Sequence, residues 1–291
     1  MDLVIGRRGL LFAGAGVAVA GAAGGWAALH EDHGSAGRIP DIDPGQRVGG
    51  TFRSARRGGR QTSWSLAYPP GAGGRLPLLV FLHGLHQDHR TAFGRWLGLD
   101  RFLAAEVARS GHRFAIASVD AGTSYYHPRP DGEDAGAMVL DELLPLLAGR
   151  GVRTDRIGVM GLSMGGYGAL RLGGILGARR CAVVVAESAA LWTAGTTPSS
   201  FGFRDAEEYA RFTVFGHQRA LAGVPVRLDC GTDDPFRDAT TVYAAGFPPT
   251  QHPVVGFQPG AHELGYWRRM APAQLAFVGR HLGVCGFPTS A

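Results

Sequence analysis

Short apolar runs rich in branched residues alternate along the chain with stretches whose apolar positions recur at helical spacing. Leu78-Leu79-Val80-Phe81-Leu82 is continuously apolar, as expected of a strand buried on both faces of a parallel sheet. Residues 114–119, 157–160, 182–186, 226–228 and 253–257 read the same way. Residues 62–68 instead alternate apolar and polar, the pattern of a strand with one exposed face. Between these runs, residues 99–109, 135–147 and 165–176 carry helical periodicity. Strand and helix in alternation predict an α/β fold of three layers around a mostly parallel central sheet. Ligands of such sheets bind beyond the carboxyl ends of the strands, so the chemistry is sought there.

One strand end carries a nucleophile pattern. Gly161-Leu162-Ser163-Met164-Gly165 follows the strand at 157–160 and precedes the helix at 165–176. This is G-x-S-x-G in the strand–turn–helix context that gives it meaning. The turn is tight, and the flanking glycines remove the Cβ atoms that would clash. Ser163 then sits at a helix N-terminus, where free N–H groups favour developing negative charge. The strand at 78–82 runs into His83-Gly84-Leu85-His86, where a second backbone donor is expected. The N–H groups of Leu85 and Met164 are the candidate oxyanion hole.

A serine nucleophile needs a base and an acid, expected later in the chain in the order acid then histidine. The strand at 226–228 leads into Asp229-Cys230-Gly231-Thr232-Asp233-Asp234. Asp234, three residues after the glycine, is the favoured acid, with Asp233 as the alternative. The last strand leads into Pro259-Gly260-Ala261-His262. His262 alone among the later histidines lies in a glycine-containing loop at a strand end, unlike His217, His252 and His281.

Together these three motifs, with His262 followed by Tyr266-Trp267, resemble the esterase D-like branch of the α/β-hydrolases. That branch includes S-formylglutathione hydrolases, feruloyl-type esterases and exported mycolyltransferases. Residues 141–145 and 187–192 also look like segments of that branch. The resemblance runs from about Thr51 to the C-terminus. It implies an α/β-hydrolase fold, the triad Ser163, Asp234 and His262, and oxyanion donors Leu85 and Met164. The expected activity is that of a serine carboxylesterase, with acyl transfer to a cell-wall glycan or glycolipid as the alternative. A non-catalytic binding protein on a hydrolase fold is the third reading. The loop His86-Gln87-Asp88-His89 lacks the cysteine of formylglutathione hydrolases, and mycolyltransferases usually carry glutamate where this chain has Asp234.

The N-terminus changes where that chemistry is expected. Arg7-Arg8 stands directly before an uncharged, Ala- and Gly-rich run from Gly9 to Leu29. Ala-x-Ala triplets occur at Ala18-Val19-Ala20 and Ala20-Gly21-Ala22. The pattern resembles a twin-arginine export signal, although a run of this length can also just span a bilayer as an anchor. Residues 1–35 are therefore expected to be a signal or anchor, 36–50 a linker and 51–291 the catalytic domain. The enzyme is expected outside the cytoplasm, with the N-terminal segment as a route to membrane or cell-wall association.

Composition narrows the classes further. All 29 basic residues are arginine, and the chain has neither lysine nor asparagine. Schiff-base and pyridoxal lysines, the Walker lysine and Cys-His-Asn triads are thereby excluded. The net charge of +5 comes from arginines scattered singly or in pairs, which reads as a solvated surface and not as a nucleic-acid platform. Cys181, Cys230 and Cys285 show no metal or redox spacing, and the partners of any disulfide stay undetermined. His83, His86 and His89 with Asp88 suggest zinc, but Gly84 falls where the dinuclear hydrolase pattern needs its first histidine. No metal and no cofactor are expected, and the partner is a small-molecule or lipid ester. Tyr125-Tyr126-His127 and residues 191–217, with Trp192, Phe201, Phe203, Phe212 and Phe215, are candidate acyl-pocket walls. Aromatics this frequent are more often core.

Overall fold

The structure, a computed structural model, describes residues 37–193 and 202–285. The expected export segment and Phe201 lie outside the described residues. The chain enters the sheet through β1 (Arg47–Ser54) and β2 (Arg60–Ala67), then β3 (Leu76–Leu82). After α1 (Leu99–Ser110) and the short β4 (His112–Arg113) comes β5 (Ala115–Val119). A broken helix, α2 (Ala135–Met138) and α3 (Leu144–Ala148), leads to β6 (Val152–Leu162), α4 (Met164–Arg180) and β7 (Cys181–Glu187). Then follow α5 (Ala206–Phe212), β8 (Val226–Gly231), α6 (Arg237–Ala245), β9 (Val254–Gln258), α7 (Leu264–Leu282) and β10 (Val284–Cys285).

Eight strands form one sheet in the order β1-β2-β5-β3-β6-β7-β8-β9. β1, β2 and β5 pair antiparallel, and every later neighbour from β5 through β3 to β9 pairs parallel. The small β10 pairs with β4 apart from this sheet. The continuous apolar runs divide by alternation. Leu78, Val80 and Leu82 of β3 face a core shared with α3, α4 and α6. Leu79 and Phe81 face a second core shared with α1 and α7. Both faces are covered, which is why the central strands read as unbroken hydrophobic runs.

One expectation about elements gives way here and another is refined. Residues 36–50 were expected as a linker, yet β1 opens at Arg47 and pairs with β2 as far as Ala67. Gly50 lies against the Trp64 ring, so a glycine-rich stretch becomes a strand where a bulky cross-strand neighbour occupies the space. Upstream, Ile39 packs on the second core and the Gly37 N–H donates to the Gly265 carbonyl. The helix expected over 135–147 carries a π-helical turn at Val139–Leu143, immediately before Pro145. Proline supplies no N–H for the regular ladder, and the wider turn takes up the misfit.

α4 holds six glycines in its seventeen residues, and several of them let it sit close to the sheet. A Cβ at Gly173 would lie 2.4 Å from the Val184 side chain, and one at Gly168 would lie 2.5 Å from the Tyr126 ring. No helix among the described residues is long and apolar enough to cross a membrane.

Candidate active site

β6 ends at Leu162, Ser163 adopts φ 54° and ψ −119°, and α4 begins at Met164. A left-handed backbone at a non-glycine residue is strained, and such strain persists only where the surroundings hold it. Three backbone hydrogen bonds do so. Ser163 N–H donates to the Glu187 carbonyl at 2.9 Å, and its carbonyl accepts from Tyr167 and Ala190. The flanking glycines are obligatory: a Cβ at Gly165 would lie 1.9 Å from the Leu82 oxygen, and one at Gly161 would lie 2.2 Å from the Gly165 oxygen.

The loops after β8 and β9 bring the other two groups to this turn. His262 Nε2 lies 3.0 Å from Ser163 Oγ, and its Nδ1 lies 2.9 Å from Asp234 Oδ2. The two loops are tied together, with Thr232 and Asp233 N–H groups donating to the Gln258 and Gly260 carbonyls. Asp234 Oδ1 accepts from Phe236 N–H at 2.9 Å, whereas the carboxylate of Asp233 is exposed and, among the described residues, accepts only from Thr232 Oγ1, at 3.5 Å. The structure therefore brings Asp234, and not Asp233, to the imidazole. Burial pushes the Asp234 carboxyl upward, but hydrogen bonds from His262, Phe236 N–H and Ser188 outweigh it, leaving it below the usual carboxylate range.

Ser188 lies in the 187–192 segment that resembles the family, but no sequence signal assigned it a role. It is buried with φ 44°, its hydroxyl hydrogen-bonds to Asp234, and its Oγ accepts from Trp267 Nε1 at 3.1 Å. The Trp267 ring in turn meets His262 edge-on at 5.1 Å, with Phe236 on the imidazole at 5.4 Å. One turn after β7 thus braces the acid directly and the base through an indole. Only the tertiary fold reveals it.

The loop after β3 is equally constrained. Gln87 Oε1 accepts from Gly84 N–H at 2.9 Å, and Gln87 N–H returns to the Gly84 carbonyl. His83 is fully buried: its Nε2 accepts from Ala121 N–H at 2.9 Å and its Nδ1 faces the Gly84 carbonyl at 2.8 Å. That pairing places the proton on Nδ1 and makes His83 a structural brace, and burial pushes its pKa down. Among the described residues no protein acceptor engages the N–H of Leu85 or Met164. Asp88, His89 and Asp120 are the one group of possible metal ligands found there. Asp88 already binds Arg90, and His89 binds Asp120 at 2.7 Å.

The aromatic walls expected at 125–127 are core. Tyr125, Tyr126 and His127 are buried, and His127 stacks between Phe203 and Phe212 at 5.0 and 4.6 Å. Phe215 packs on Tyr243. Trp192 and Phe236 stay half-buried in edge contact at 5.6 Å, and Phe236 borders the imidazole. Cys181 and Cys230 are free and buried, and burial pushes both thiols up to about 12. Neither is a nucleophile.

Glu187, whose carbonyl holds Ser163, is itself buried, and its Oε1 meets no hydrogen-bond partner. Burial first, then the neighbouring Asp229, push its carboxyl well above the ordinary value. A raised carboxyl stabilises the fold fully below its unfolded value, and that stability is lost as pH rises toward the folded value. The loss reaches up to about 1.4 kcal/mol per pH unit. Glu187→Gln should therefore gain on the wild type as pH rises from 5 to 8, read as urea midpoints. A difference that stays flat with pH would refute this.

A family model described as "Putative esterase" matches residues 56–243. No curated protein matches the chain. Among solved structures, a ferulic acid esterase is similar at 21% identity and a TM-score of 0.67, covering 82% of this chain and 99% of its own. An S-formylglutathione hydrolase from Staphylococcus aureus is similar at 17% identity and 0.65, with 80% and 98% covered. The feruloyl esterase module from Clostridium thermocellum, complexed with sinapinate, is similar at 12% identity and 0.63, with 84% and 91% covered. These likenesses establish the fold.

Proposed function

The chain belongs to the "Putative esterase" family, and on that premise we propose that it is a serine carboxylesterase working through an acyl-Ser163 intermediate. The observation that carries the proposal is the unbroken chain of hydrogen bonds from Ser163 through His262 to Asp234. His262 Nε2 takes the hydroxyl proton as Ser163 Oγ attacks the ester carbonyl, while Asp234 holds the tautomer that leaves Nε2 free to accept. The N–H groups of Leu85 and Met164 receive the oxyanion, and losing one such donor typically costs about 100- to 1000-fold. Collapse expels the alcohol, protonated by His262, and leaves the acyl-enzyme. Water then attacks with His262 again as base. The half-buried Trp192 and Phe236 give the acyl side an aromatic border.

A fluorophosphonate probe should label the folded protein at Ser163, read by peptide mapping. A folded protein that takes no label overturns the proposal. Product analysis with added glycerol or trehalose distinguishes hydrolysis from transfer, because an acylated acceptor reports a hydroxyl competing with water.

We also place the enzyme outside the cytoplasm, on the strength of Arg7-Arg8 and the uncharged run behind it. Replacing both arginines by lysine should retain the protein in the cytoplasm of a host with twin-arginine export, measured by fractionation. Unchanged export would remove that reading.

A further inference from the structure

The loop that carries Leu85 continues into one wall of an open groove of about 600 Å³. His86, Gln87 and Arg90 line the near side, and Arg47, Arg95 and Trp96 line the rest with their neighbours. The loop that lines the groove from His86 onward starts against the nucleophile turn: a Cβ at Gly165 would lie 2.8 Å from the His83 oxygen. Its far wall is tied to α7, the helix that follows His262. Arg268 Nε donates to the Trp96 carbonyl at 2.6 Å, and its Nη2 donates to the Arg95 carbonyl. The groove is therefore framed by the loop of one expected oxyanion donor and the helix behind the base.

Its charge is one-sided. Three arginines and one carboxylate, Asp88, line it; Asp88 holds Arg90 and Asp100 pairs with Arg47, which leaves the charge of Arg95 uncompensated. Arg47 lies over the Phe93 ring at 5.8 Å and 3.6 Å from Asp100. Arg95 is exposed, and its side chain forms no ion pair among the described residues. Two features are hard to explain by folding alone. Trp96 keeps 52% of its surface exposed on a backbone that Arg268 braces. His86 is held at φ 59°, a strained conformation of the kind that clusters at ligand sites.

We propose that this groove is the alcohol-side subsite and that it takes an ester whose alcohol carries an anionic oxygen group, a phosphate or a carboxylate. This rests on the serine esterase reading above. The guanidinium fork matches either oxyanion, and the Trp96 face gives a ring of the alcohol a flat surface. The acyl chain then lies toward Trp192 and Phe236, and the alcohol leaves past His262 into a field of opposite charge.

The test uses three butyrate esters with one acyl group: those of phenol, 4-hydroxybenzoate and 4-hydroxyphenyl phosphate. The quantity read is the ratio of kcat/KM for each anionic ester to that for the neutral one, which cancels changes common to all three. Arg95→Ala should lower that ratio about tenfold, Arg95→Lys should recover part of it, and 0.5 M salt should compress it in the wild type. Whichever anionic ester loses more identifies the preferred oxyanion. Ratios unmoved by Arg95→Ala or by salt, with the neutral ester still hydrolysed, overturn the groove and leave the esterase standing. No turnover of any ester, together with no fluorophosphonate labelling, overturns both.

Discussion

Ser163→Ala should lower kcat on a short p-nitrophenyl ester by about four orders of magnitude or more. The substitution removes one oxygen and almost nothing else. Alanine keeps the Cβ that already sits in the strained turn, and the backbone bonds to Glu187, Tyr167 and Ala190 involve no side-chain atom. The fold should therefore be retained, with an unfolding midpoint close to that of the wild type. What remains is binding and oxyanion stabilisation, which in triad hydrolases leave about 10³- to 10⁴-fold over water. A variant that keeps more than about one hundredth of the activity would mean that Ser163 is not the nucleophile.

Asp234→Asn should cost about 10⁴-fold in kcat, while Asp233→Asn should stay within a factor of about two. The reason is a constraint on which way an amide can point. Oδ1 of Asp234 accepts from Phe236 N–H and Oδ2 faces His262 Nδ1. An asparagine that keeps the first bond turns its NH₂ toward the imidazole. The ring must then present a lone pair at Nδ1 and its proton at Nε2, so it can no longer accept from Ser163. Asp233 touches neither partner. Equal losses from the two substitutions, measured as kcat at neutral pH, would reopen the choice between them.

That choice shows where sequence reasoning stops. Gly231-Thr232-Asp233-Asp234 puts two carboxylates side by side, and only the tie of this loop to the one after β9 decides which faces inward. Ser163 and His262 were legible because local grammar marks them: a strand, a tight glycine turn, a helix or loop. Most of the sheet was legible too, since strands covered on both faces must be apolar throughout. Ser188 was not, because its role depends on Asp234 and Trp267, far away in the chain. The aromatics at 125–127 were open to two readings, wall or core, with core the commoner. Their composition suits a pocket wall as well as a core, and the rings of Phe203 and Phe212 close over them. Glycines at 49–50 read as linker because the bulk that replaces their side chains, Trp64, comes from the neighbouring strand.

The close seating of α4 has a kinetic side. Five helical glycines, each costing roughly 1 kcal/mol of helix propensity relative to alanine, and a sixth, Gly177, that kinks the chain at φ 59°, leave this segment unable to hold a helix alone. It acquires one only when β6, β7 and their neighbours give it a surface to close upon. The strained turn at Ser163, cradled between that helix and the ends of two strands, should then order only once that surface has formed. During refolding, hydrolysis should return with the slowest phase, well after most helical signal has recovered. An enzyme assembled this way exposes no working nucleophile until the rest of the chain is committed.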